Sequence, residues 1–300
     1  MTSSAEPKKE GKLHSIMKRV PGGALMFAVL PLAILSYLAW YYYGAEHLDK
    51  VLYSLRPENV EITQQPEWIR GDVAQEVFEK HDLSSVSLLD PQSNAFLARA
   101  FESSPWIKST TRVSKSQGGK VQIDLVYRQP IAMVYLRYKY VEDGEEKIDD
   151  GCFPVDKDAI ILPSDSFTEN DIGNYLVILA QGAESTGELA GSEFGDPAVK
   201  VAVDLCAMLA AGQEQYGLKT VQVERDYAAT GSSPWKLTIH TKDGRKILWG
   251  RPPNHELHGE PPARDKIARM VDWLKSGTAD SSVLDLQMFA RTSRVSTPLP

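Results

Sequence analysis

The chain has 300 residues, 42% hydrophobic and 24% charged, with 21 Gly, 18 Pro and 2 Cys. That balance suits a buried core and excludes wholesale disorder, collagen-like repeats and a disulfide scaffold. A formal net charge of -7 argues against a general nucleic-acid binder, whose domain is ordinarily basic, and a mean hydropathy of -0.28 leaves room for one membrane span but not for many.

Charge is unevenly distributed. Residues 1–20 hold Lys8, Lys9, Lys12, Lys18 and Arg19 against Glu6 and Glu10, and the remainder is acidic. After this basic tail (1–23), residues 24–43 read ALMFAVLPLAILSYLAWYYY without a charge. At 1.5 Å per residue, about 20 residues cross a hydrocarbon core of ~30 Å. The run predicts a transmembrane helix that uses Ala24, Leu25, Phe27, Leu30 and Leu35 toward lipid, with Trp40 and Tyr43 in an interfacial aromatic belt. It lacks an A-x-A-like cleavage site, so an uncleaved anchor is expected. The preceding bases place the N-terminus in the cytoplasm and the rest outside it, as a single-pass type II anchor.

Residues 44–57 read as a stalk. NVEIT (59–63) then predicts a strand. Ile69, Val73, Val77 and Phe78 give 67–81 helical spacing. Asp90-Pro91 reads as a helix start, with a helix over 91–104 burying Phe96, Leu97, Ala100 and Phe101. Strands follow at about 106–115 and 120–128, joined by a turn at Gly118-Gly119, where positive φ is tolerated. The order β-α-α-β-β over 58–129 closes a small core, with two helices on one face of three strands.

Beyond 129 the pattern changes. Strands are expected in 131–143, in a hairpin over 144–163 and in 174–182. The segment 196–217 predicts a helix from its Asp-Pro start to Gly217. LKTVQVERDY, WKLTIHTKDGRKILWG and VLDLQMFART follow as strands, with a tight turn at Asp243-Gly244. A helix over 261–277 presents Ile267, Met270, Val271 and Leu274. Residues 130–296 form a mixed α/β unit, and 297–300 a tail.

Several pieces together resemble the bacterial division protein family FtsQ, called DivIB in some bacteria. The first is SPWIKSTTRVSKSQGGKVQIDLVYRQPIAMV, with a P-W-I, two strands and R-Q-P-I-A where the family has E/R-x-P-x-A. The others are IDDGCFPV, WKLTIHTKDGRKILWG and VLDLQMFA, in the family's order. Gln287 and Met288 stand where Arg and Tyr are usual, and Trp249 where Leu is usual. The resemblance implies an α+β fold: a single transmembrane helix, a βααββ POTRA (polypeptide-transport-associated) domain, then a domain on a curved, mostly antiparallel sheet. It implies a divisome assembly protein at the septum, without catalysis, that holds small bitopic partners of the FtsB and FtsL kind. Membrane lipid is the other expected contact. A secretion factor bearing a POTRA domain and an anchored cell-wall enzyme are the alternatives.

No catalytic constellation stands out. His255, Glu256 and His258 have the wrong spacing for an HExxH metal helix. The acidic run from Glu142 to Asp150 lacks the alternation of a calcium loop. No cofactor, metal, nucleic acid or small-molecule substrate is expected. Cys152 and Cys206 are open to a disulfide or to two buried thiols. Carried over from the resemblance, partner binding falls on Val283, Leu284, Asp285, Gln287 and Phe289, then Arg291 and Arg294. In that strand Leu284, Leu286 and Met288 should face the core, and Phe289 is the candidate anchor.

Overall fold

The computed structural model describes residues 23–44, 55–116, 118–142, 145–180, 190–227, 233–276 and 282–288. The expected transmembrane helix over 24–43 is corrected. Helix α1 (Gly23–Ala39) has 17 residues, and Trp40–Gly44 leave its register as a π turn. Among the described residues no helix is long and apolar enough to cross a membrane. A physical reason lies in four consecutive rings, Trp40 to Tyr43. Tyr37 stacks on Tyr41 and Tyr42 meets Tyr41 edge-on, an arrangement that goes with the wider turn. Ala24, Leu25, Phe27, Leu30 and Leu35 lie on α1, and Trp40 and Tyr43 in the π turn.

The first unit follows the β-α-α-β-β order. Strand β1 (Val60–Ile62) pairs parallel with β3 (Val121–Tyr127), and β2 (Ile107–Lys115) pairs antiparallel with β3, giving the order β1-β3-β2. Gly118 (φ 84°) and Gly119 (φ 75°) make the turn between β2 and β3, as their lack of a Cβ allows. Helix α2 (Val73–His81) starts later than its periodicity suggests because Asp72 caps it, accepting from the Gln75 N–H at 3.0 Å. Helix α3 (Ser93–Glu102) likewise starts after Asp90-Pro91, whose Asp accepts from the Gln92 N–H in a turn. Leu97, Ala100 and Phe101 form its inward stripe, which leaves Phe96 exposed. These side chains pack with Val77, Ile107, Ile123 and Leu125. Leu55, upstream of the expected boundary, belongs to the same core.

The second unit is a seven-stranded sheet of order β10-β9-β8-β7-β6-β4-β5. Its strands are β4 (Pro130–Glu142), β5 (Glu145–Asp156), β6 (Leu176–Ala180), β7 (Leu218–Arg225), β8 (Trp235–Thr241), β9 (Lys246–Gly250) and β10 (Val283–Asp285). The sheet is mixed, which corrects the mostly antiparallel expectation. The β4–β6, β6–β7 and β9–β10 pairs are parallel, and β4–β5, β7–β8 and β8–β9 antiparallel. Connectivity gives the reason. A short helix, α4 (Glu169–Ile172), precedes β6. Helix α5 (Pro197–Leu209) separates β6 from β7, and α6 (Ala263–Ser276) separates β9 from β10. A helix crossover returns the chain in the same direction, so each such pair is parallel. Asp196 caps α5 by accepting from the Ala198 N–H, and Pro197 takes its first position. Val199, Ala202, Val203, Cys206 and Leu209 are its inner stripe, packed with Val134, Ile178 and Val221 of the sheet. Cys152 and Cys206 are both free thiols, Cys206 buried.

A joint ties the units together. Arg128, just after β3, donates to Asp156 at the end of β5 at 2.7 Å. The other oxygen of Asp156 accepts from the N–H groups of Asp158 and Ile160, each at 2.9 Å. Arg70–Asp171 (2.7 Å), Lys108–Asp158 (2.5 Å) and the Trp106–Phe167 ring contact add to it, and Leu162 enters the first unit's core.

Candidate partner-docking edge

Among the described residues, strand β10 is the last strand in the sheet order and pairs on one side only, with β9. Its position is set by the segment between β9 and α6. Gly250 ends β9 at φ 89°, a conformation that disfavours a side chain, and a Cβ there would strike the Glu260 carboxylate and approach Gln287 Cγ at 2.9 Å. Next along, buried Arg251 donates to the carbonyls of Ser233 (3.0 Å) and Trp235 (3.2 Å) and to the Asp226 carboxylate (2.7 Å). It therefore fastens the β7–β8 connection to the end of β9.

Glu260 holds the other side. Its Oε1 accepts from the Arg251 N–H at 2.8 Å and from Lys266 Nζ at 2.6 Å, and its Oε2 from the Leu257 N–H at 3.1 Å. Lys266 projects from α6, has no exposed surface, and lies 5.1 Å from the centre of the Trp249 ring. Burial pushes its ammonium below the ordinary lysine value, and the hydrogen bond and charge of Glu260 oppose that shift. The HELH segment does structural work here, since Glu256 accepts from the Ala263 N–H at the start of α6, at 2.9 Å. Above this network lies a cavity of ≈ 360 Å³, bordered by Lys236, Leu257, His258, Gln287 and Met288.

The expected docking residues are only partly gathered on one surface. Val283 is 45% exposed and Asp285 exposed, while Leu284 is half-buried against the core and Leu286 fully buried. Gln287 is half-buried over Gly250. Met288, expected in the core, is 74% exposed. The alternation stops because β10 ends at Asp285 and the backbone bends at Gln287 and Met288. Phe289, Arg291 and Arg294 lie outside the described residues.

Compared with protein-family models and with curated proteins, the chain matches none.

Two features of the site went unread at the level of sequence. Lys266 sits four and eight residues before Met270 and Leu274, in line with the buried stripe of α6. An ammonium in that stripe, with a carboxylate shortly upstream, was a signal for a buried pair. Arg251, between Gly250 and two prolines, carried no such periodic signal.

Proposed function

We propose that this chain is a division-assembly protein of the FtsQ (DivIB) type, which docks small bitopic division proteins of the FtsB and FtsL kind and performs no chemistry of its own. The observation that carries the reading is the open flank of β10, at the end of a seven-stranded sheet that follows a β-α-α-β-β unit. An unpaired flank offers main-chain donors and acceptors to an incoming strand, and side chains beside it supply selectivity. Val283, Asp285 and Gln287 present the described part of that surface, with Leu284 half-buried behind them, and the proposed docking segment includes Phe289, Arg291 and Arg294 of the sequence that follows. The buried Arg128–Asp156 pair between the two units suits a scaffold that holds partners on both.

A fluorescent fusion in dividing cells tests the reading. Enrichment at midcell, lost on deletion of 283–300, is the expected result. A uniform distribution in cells with normal constrictions contradicts it.

A further inference from the structure

The flank of β10 is not simply open. In a parallel pair the main-chain groups of alternate residues point to the partner and away from it. The Lys246 N–H donates to the Ser282 carbonyl at 2.8 Å, and the Leu286 N–H to the Leu248 carbonyl at 3.0 Å. Residues 282, 284 and 286 therefore face β9, and 283, 285 and 287 face outward. Two of the outward groups are already occupied. Arg269 of α6 donates to the Asp285 carbonyl at 3.1 Å and to the Met288 carbonyl at 2.7 Å. The Gln287 N–H donates to Asp285 Oδ1 at 2.8 Å. Within β10, both main-chain groups of Val283 and the N–H of Asp285 have no partner among the described residues and are left for an incoming strand.

We infer that Arg269 is a clasp on the docking edge: its guanidinium sits on the outward Asp285 carbonyl and pins the bend at Met288, so that an added strand extends past the Asp285 N–H only when the guanidinium lets go. The inference rests on the docking role proposed above and adds its regulation. Arg269 is half-buried on α6, next to Met270, which anchors the helix in the core. The clasp is therefore carried by a fixed element, while the bend it holds is the end of a three-residue strand. Such an edge is protected from pairing with the wrong chain and remains available to a partner that pairs strongly enough to displace the arginine.

The test uses the full chain and Arg269→Ala, with Arg269→Lys as the conservative variant, and reads two quantities. The first is amide hydrogen exchange without any partner. Loss of the clasp is expected to speed exchange at Leu286 and Gln287, whose N–H groups are bonded at the bend, roughly tenfold, with β8 and β9 unchanged. Unchanged exchange there overturns the clasp. The second is capture of the FtsB-like and FtsL-like proteins of the same cell. Arg269→Ala is expected to capture more than the parent chain, with Arg269→Lys between them. A support role predicts the reverse, so weaker capture with intact β8 and β9 protection overturns the inference. Faster exchange combined with no capture by either chain leaves the clasp standing and overturns the docking role.

Discussion

Replacing Lys266 by Met removes the ammonium from between α6 and the end of β9 and leaves the rest of the network in place. The Glu260 carboxylate, 6% exposed, then keeps only the Arg251 and Leu257 N–H groups as donors. Removing one member of a buried pair costs about 3–5 kcal/mol. The two remaining backbone donors put this site at the lower end, so about 3 kcal/mol is expected. For a unit of this size that lowers Tm by about 6–12 °C. Thermal and urea unfolding followed by near-ultraviolet circular dichroism measure it. The double variant Lys266→Met/Glu260→Gln should recover about half of the loss, because the carboxylate left uncompensated is then neutral. The pH dependence has a definite sign. Native Lys266 loses its proton at a lower pH than the unfolded chain does, so between those two values the unfolded state binds more protons and stability rises with pH. The Met variant should lack that contribution. A loss below about 1 kcal/mol, with no recovery in the double variant, refutes the reasoning that a buried charge pair holds α6 against the end of β9.

Gly250→Ala combines an unfavourable backbone conformation with a clash against Glu260 and Gln287, and should cost about 2 kcal/mol or more in urea unfolding. Arg128→Ala leaves the buried Asp156 with backbone donors alone; a loss of about 2–3 kcal/mol is expected, with a larger radius of gyration by small-angle scattering as the units separate. The joint should also loosen in acid. Lys108 holds the Asp158 carboxyl below its usual range, and Thr168, followed by Arg70, does the same for Asp171. Their stabilisation is complete above the ordinary carboxylate value and is lost as pH falls through the lowered native values, so the scattering radius should rise below pH about 4 in the parent chain. The pair of variants Asp158→Asn and Asp171→Asn should flatten that response.

Local chemistry was the readable part of this fold. Gly118-Gly119 and Asp243-Gly244 turn the chain where their backbone freedom requires it, and the apolar stripes of α2, α3 and α5 face their sheets. Strand direction was not read from the same patterns, because alternation marks a strand without saying which neighbour it takes. The crossovers through α5 and α6 decide that, and they make β6–β7 and β9–β10 parallel. The apolar length of 24–43 overstated its helix, since hydropathy does not register the change of turn at Trp40. At the candidate site the three residues of β10 were legible. Met288 was not, because Arg269 holds the bend from a helix distant in sequence, and no period of two encodes that contact. Lys266 was missed for a related reason: its burial depends on Glu260 and Trp249, which the periodicity of α6 does not contain.

The most direct measurement of the central claim is photocrosslinking in dividing cells, with a photoreactive residue at Val283 and, as a control on a different exposed surface, at Met208 of α5. Strand addition at β10 predicts an adduct between the Val283 position and a small bitopic division protein, absent at Met208. The same adducts at both positions, or none at Val283 in cells that divide normally, would contradict docking at this edge.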